Sequence, residues 1–162
     1  MSSLNFVESC STCNLRTRSF FCDPPQTSAA AFNHIKHAAV FPEHSAVLVE
    51  GQSPGGVFIL CWGRAKLSTS LQGGKTLIAR IAEAGEVLGG HSVITGGPYE
   101  LTVETIEPCQ MDFVGKTICC VLSERADAPI HATQHLARDC STAYGVVRSI
   151  GSCFAELRAI LA

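Results

Sequence analysis

Charge is scarce in this chain of 162 residues, where Asp, Glu, Lys and Arg together make up 16%. The 14 acidic and 12 basic residues leave a formal charge of -2, so no basic field draws the chain to nucleic acid or anionic lipid. No apolar run reaches the roughly 18 residues of a membrane span. The start, Met1 to Cys13, lacks the basic opening and apolar block of a secretory signal. Internal repeats and low-complexity tracts are missing too. A soluble cytoplasmic chain that touches no membrane is expected. With 46% hydrophobic residues, the chain can bury the core of one domain and does not read as disordered.

Cysteine, by contrast, is abundant: nine residues, an odd number, without a signal peptide. That argues against a secreted disulfide scaffold. Clustered cysteines in a reducing compartment bind metal or sense redox state, and scattered ones serve as small core residues.

The chain divides into four parts. Residues 1–25 form a polar arm that carries Cys10, Cys13 and Cys22 and closes on Asp23-Pro24-Pro25. The two prolines stop any helix there. Thr27 or Ser28 can then cap a short helix through Ala30, Phe32, Ile35 and Lys36. From His44 short β-branched runs alternate with glycine turns: Ala46–Val49, Val57–Trp62, Ala65–Thr69, Thr76–Ile81, Val87-Leu88, Tyr99–Thr105 and Cys109–Phe113. This spacing predicts a sandwich, jelly roll or barrel over residues 26–125. A longer helix, 127–150, begins at Asp127-Ala128-Pro129. Its Leu136, Cys140, Ala143, Val147 and Ile150 form an a/d seam of about two heptads. A second stripe, Ile130, Ala137 and Tyr144, lies beside it, so the helix is packed on two sides and a homodimer contact is expected. The fold class is mainly β with flanking helices, an antiparallel roll followed by a dimerisation helix.

Five segments carry a family resemblance: Val49-Glu50-Gly51-Gln52, Gly55–Leu60, Gly63–Leu67, Gly85–Gly89 and Glu104–Cys109. In this order and spacing they resemble the cyclic-nucleotide-binding-like effector domain of the Crp/Fnr transcription regulators, over about residues 7–155. The resemblance implies sensing and dimerisation in transcription regulation. Family members usually carry a helix-turn-helix domain after the dimer helix. Here residues 151–162 are read as the truncated start of one, so specific DNA binding by this chain alone is not expected. A homodimer, or a heterodimer with a full-length relative, is the expected assembly.

The cyclic-nucleotide binders of the family place Gly-Glu-Leu in the roll and Arg-Ser or Arg-Thr further along, the glutamate taking the ribose hydroxyl and the arginine the phosphate. This sequence departs from both. Gly89-Gly90-His91 replaces the first motif, and Glu100-Leu101 stands where the arginine pair would be. These five residues are the candidate ligand pocket, and cyclic AMP is not its expected occupant.

Cys10-x2-Cys13 puts two thiolates within reach of one ion, and Cys22 follows after eight intervening residues. Cys109 lies in a segment similar to the one that supplies the fourth ligand in the oxygen-sensing branch, where four cysteines hold a [4Fe–4S] cluster. The gap before Cys22 is longer than in that branch. Cys10, Cys13, Cys22 and Cys109 are thus candidate ligands of a cluster, zinc accepts the same sulfurs, and an arm without metal is the third reading. Cys61 and Cys140 read as small buried hydrophobes, and His34 and His37 as a solvated pair on the short helix. A cupin metal site needs a His-x-His pair on one strand, which is missing, as is any nucleophile with a base in one motif. An enzyme is not expected. The alternatives to a regulator module are a stand-alone binder of a small ligand and a fragment without function.

Overall fold

In a computed structural model, residues 34–116 are described, together with Cys13 and Leu15. Eight strands and one helix follow in the order β1 (Lys36–Phe41), β2 (Ala46–Leu48), β3 (Gly56–Trp62), β4 (Ala65–Ser70), β5 (Thr76–Ala82), β6 (Val87–Leu88), α1 (Gly90–Thr95), β7 (Thr102–Thr105) and β8 (Cys109–Gly115). They form two four-stranded sheets of order β1-β8-β3-β6 and β2-β7-β4-β5, with every pairing antiparallel. The expected mainly β roll is the observed fold.

Side-chain alternation along β8 sorts the core into two clusters. Cys109 and Met111 belong to one with Leu60, Ala65, Leu88 and Val103, drawn from both sheets. Val114 belongs to the other, with Val57, Ile59 and Val93, on the opposite face of the first sheet. We call these the inner and outer clusters. Leu60 and Met111 are fully buried, and each such side chain contributes roughly 1.5–3 kcal/mol of burial free energy. Leu15, from the arm, packs on the outer cluster together with Ile35, Cys61 and Val87.

Three local expectations are corrected. The helix expected to run through Lys36 is a helical turn at His34 and Ile35, and Lys36 already begins β1. His34 and His37 therefore share no helix face, although both are exposed. Pairing with β8 across six residues, Lys36↔Val114 to Phe41↔Cys109, imposes the strand on a sequence with only one β-branched residue. Second, a helix forms at Gly90–Thr95, where only a glycine break was expected; glycines cap it at both ends, and Ser92 and Val93 are buried. Third, the strand expected from Tyr99 starts at Thr102. The expected homodimer seam and the segments 1–12, 16–33 and 117–162 lie outside the described residues.

Candidate functional site

The pocket candidates sit on the loop between β6 and β7. Gly89 turns the chain at φ 81°, and a Cβ there would lie 2.8 Å from Cε1 of Tyr99 and 3.2 Å from Cδ1 of Leu48. Only glycine meets both conditions. Tyr99 then pins the loop to the turn before β3. Its hydroxyl donates to the Gly56 carbonyl at 2.7 Å, its N–H donates to the Gln52 carbonyl at 2.9 Å, and its carbonyl accepts the Gly51 N–H at 2.8 Å. The loop is thereby a fixed frame.

On this frame the structure brings His91 and Glu100 together, Nδ1 to Oε1 at 3.2 Å, with the side chains 47% and 66% exposed. Gly90 meets nothing nearer than Cγ1 of Val87 at 3.9 Å, and Leu101 turns onto the inner cluster. The five pocket candidates thus give one carboxylate, one imidazole, two glycines and one apolar side chain. This set offers a phosphate a negative charge instead of a bidentate donor. Like charges about 4 Å apart repel by roughly 1 kcal/mol in bulk water and by more near a protein surface.

Two carboxylates the sequence reading did not single out brace the roll beside this loop. The Glu50 carboxylate accepts the Thr69 hydroxyl at 2.8 Å and the Ser70 N–H at 2.9 Å. Those bonds, the backbone N–H first, hold its carboxyl below the ordinary range. Glu86 accepts the Glu83 N–H at 2.8 Å and pairs with the Arg80 guanidinium. At the far end of the roll, Arg64 binds Glu107 with two bonds of 3.1 Å, joining the β3–β4 and β7–β8 turns. Their signal was already in the sequence, a lone carboxylate within each family segment.

Of the cysteine candidates, Cys13 and Cys109 are described, and Cys10 and Cys22 lie outside the described residues. Cys13 accepts the Leu15 N–H on its Sγ at 3.4 Å, an arrangement that suits a thiolate. Cys109 is fully buried in the inner cluster. Its Sγ lies 3.2 Å from each of the Arg64 and Glu107 carbonyl oxygens. Burial pushes the Cys109 thiol up, and the Glu107 charge adds to the effect. A ligand sulfur is deprotonated and calls for N–H donors; this one faces acceptors. With Cys109 as fourth ligand, the residues do not fit a thiolate-held cluster or zinc. Among the described residues, no three His, Cys, Asp or Glu side chains converge as a metal site.

The profile of the cyclic nucleotide-binding domain matches residues 39–117. No curated protein matches the chain. Solved structures do. A putative cAMP-binding regulatory protein from Silicibacter pomeroyi DSS-3 is similar with a TM-score of 0.65 at 13% identity, over 92% of this chain and 65% of its own. The c-di-GMP-responsive global regulator CLP of Xanthomonas campestris gives 0.67 at 15%, over 78% of this chain and 63% of its own. The catabolite activator protein of Thermus thermophilus gives 0.58 at 15%, over 78% and 55%. The chain therefore spans less than two thirds of the length of these proteins. Residues 39–117 belong to the cyclic nucleotide-binding domain family, and the solved structures that share their fold include Crp/Fnr-type regulators.

Proposed function

We propose that this chain is the sensory and dimerisation part of a Crp/Fnr-type transcription regulator, working by binding and not by catalysis, and that its roll responds to something other than a cyclic nucleotide monophosphate. The observation that carries this reading is the His91–Glu100 pair at 3.2 Å, on the loop where relatives that bind cyclic nucleotides carry their arginine. A signal received there passes through the roll to the 127–150 helix, whose Leu136, Cys140, Ala143, Val147 and Ile150 join two copies, or one copy and a longer relative, in the cytoplasm. Calorimetric titration with cyclic AMP and cyclic GMP tests the reading. The expected result is no saturable binding up to about 1 mM, weaker than roughly 4 kcal/mol. The double variant Gly90→Glu with Glu100→Arg restores both recognition groups and gains affinity. Micromolar binding by the unaltered chain would overturn the reading.

A second reading is favoured by the Leu15 N–H bond to the Cys13 sulfur. Here Cys10, Cys13 and Cys22 hold a metal, as an iron–sulfur cluster or as zinc, and the chain senses oxygen, nitric oxide or redox state through it. Iron, acid-labile sulfide and zinc measured on anaerobically purified chain test it. Absence of all three together with absence of any thiolate metal binding on reconstitution removes it.

A further inference from the structure

We infer that the sulfur by which the roll joins the arm's thiolate site is Cys61, and that Cys109 is a core thiol outside that site; this rests on the second reading above. The two cysteines belong to neighbouring strands at the same end of the first sheet. Trp62 faces Gln110 across β3 and β8, so Cys61 and Cys109 each stand one residue from that pair. They are nonetheless on different sides. Cys109 belongs to the inner cluster, whereas Cys61 packs against the outer one.

The backbone explains the division. Between Leu60↔Met111 and Trp62↔Gln110, β3 spends two residues where β8 spends one, and Cys61 is the extra residue. A bulge of this kind re-aims a side chain out of the regular alternation. Cys61 is half-buried, with its Sγ 3.6 Å from the Ile59 carbonyl. Leu15 packs on the same outer cluster, and its N–H is bonded to Cys13. Cys13 and Cys61 are thus thiols of the same face. Cys109 cannot simply be turned toward that face. It is held between two carbonyl oxygens, and a Cβ at Gly63 would sit 2.7 Å from its Sγ, so the turn beside it is already in tight contact.

Binding of a divalent ion by such a site exchanges protons for metal. Each thiol that ligates loses its proton to solvent, and no electron is transferred. Cobalt(II) chloride is therefore a suitable probe, added anaerobically to the full reduced chain and read by the sulfur-to-cobalt charge-transfer band. Cys61→Ser is expected to lower that band by about a quarter and to weaken binding at least tenfold, as loss of one of four thiolates requires. Cys109→Ala is expected to leave band and affinity within twofold.

A Cys109 variant could fail to fold, so a second measurement uses the unaltered chain. Iodoacetamide labelling mapped by peptide mass is expected to modify Cys13 and Cys61 in the metal-free chain, to spare both when cobalt is bound, and to spare Cys109 in both states. Cobalt that protects Cys13 but leaves Cys61 labelled at its metal-free rate overturns the assignment while leaving the arm reading intact. So does a band lost in folded Cys109→Ala and kept in Cys61→Ser. A chain that gives no charge-transfer band overturns both.

Discussion

The Lys36 ammonium lies 2.6 Å from Oδ2 of Asp112, with the two side chains only 7% and 2% exposed. The pair joins the first strand of the roll to the central strand β8, where Ala38 faces Asp112. The other carboxylate oxygen, Oδ1, is buried without a hydrogen bond. Such a pair does little for net stability, yet breaking it from one side leaves a buried charge. Asp112→Ala is therefore expected to cost about 3–5 kcal/mol. The double variant Lys36→Met with Asp112→Leu should recover most of that loss. Urea unfolding of the three chains checks both, with the slope held constant across the set.

Gly63 is where two turns close on each other. Its φ is 90°, and an added Cβ would meet the Pro108 carbonyl at 2.6 Å and the Cys109 sulfur at 2.7 Å. Gly73, in the β4–β5 turn, has a similar φ of 86° with nothing within 4 Å. Gly73→Ala should cost only the backbone strain, about 1–2 kcal/mol. Gly63→Ala should cost clearly more, because it also displaces the buried end of β8. Thermal melts of the two variants separate the contributions.

How much of this was legible in the sequence follows from where the information sits. The runs Val57–Trp62, Ala65–Thr69 and Thr76–Ile81 carry their own β propensity, and each became a strand within one residue of its expected bounds. Lys36–Phe41 has little local preference and is a strand only because β8 lies beside it. Helix α1 is weak by composition and is held by the burial of Ser92 and Val93. The pocket candidates could be located through their resemblance, but the contact between His91 and Glu100 depends on the tertiary turn fixed by Tyr99. Cys61 was expected to be a buried small hydrophobe and is half-buried on a bulge. No periodicity argument sees an extra residue in one strand, because the bulge exists only relative to β8.

The Cys109 thiol gives the chain an alkaline limb. Its folded pKa is raised above the ordinary 9.0, chiefly by burial. Above the unfolded pKa the unfolded chain therefore releases a proton that the folded chain keeps, and stability falls as pH rises past about 9. Below that value the contribution is fully present. Cys109→Ser removes the limb. Denaturation midpoints between about pH 7 and 10 should decline for the parent and stay flatter for the variant, after each is referred to its own value at neutral pH.

Glu50 sets the opposite limb. The Ser70 N–H and the Thr69 hydroxyl hold its carboxyl below the ordinary 4.5, so folding is favoured above that value, and the advantage disappears as pH falls through the folded pKa. Glu104, lowered first by its bond to Lys66, and Glu107, lowered first by Arg64, act in the same direction. All three are solvent-accessible carboxylates, so salt should weaken the charge-pair part of the effect at Glu104 and Glu107 more than the backbone-bonded part at Glu50. Glu50→Gln keeps a side chain that can still accept one of the two bonds but cannot titrate. Acid denaturation of this variant should therefore start at lower pH relative to its own neutral stability, with the difference surviving in high salt. An acid limb identical to that of the parent would mean that Glu50 does not couple the β2–β3 turn to the end of β4.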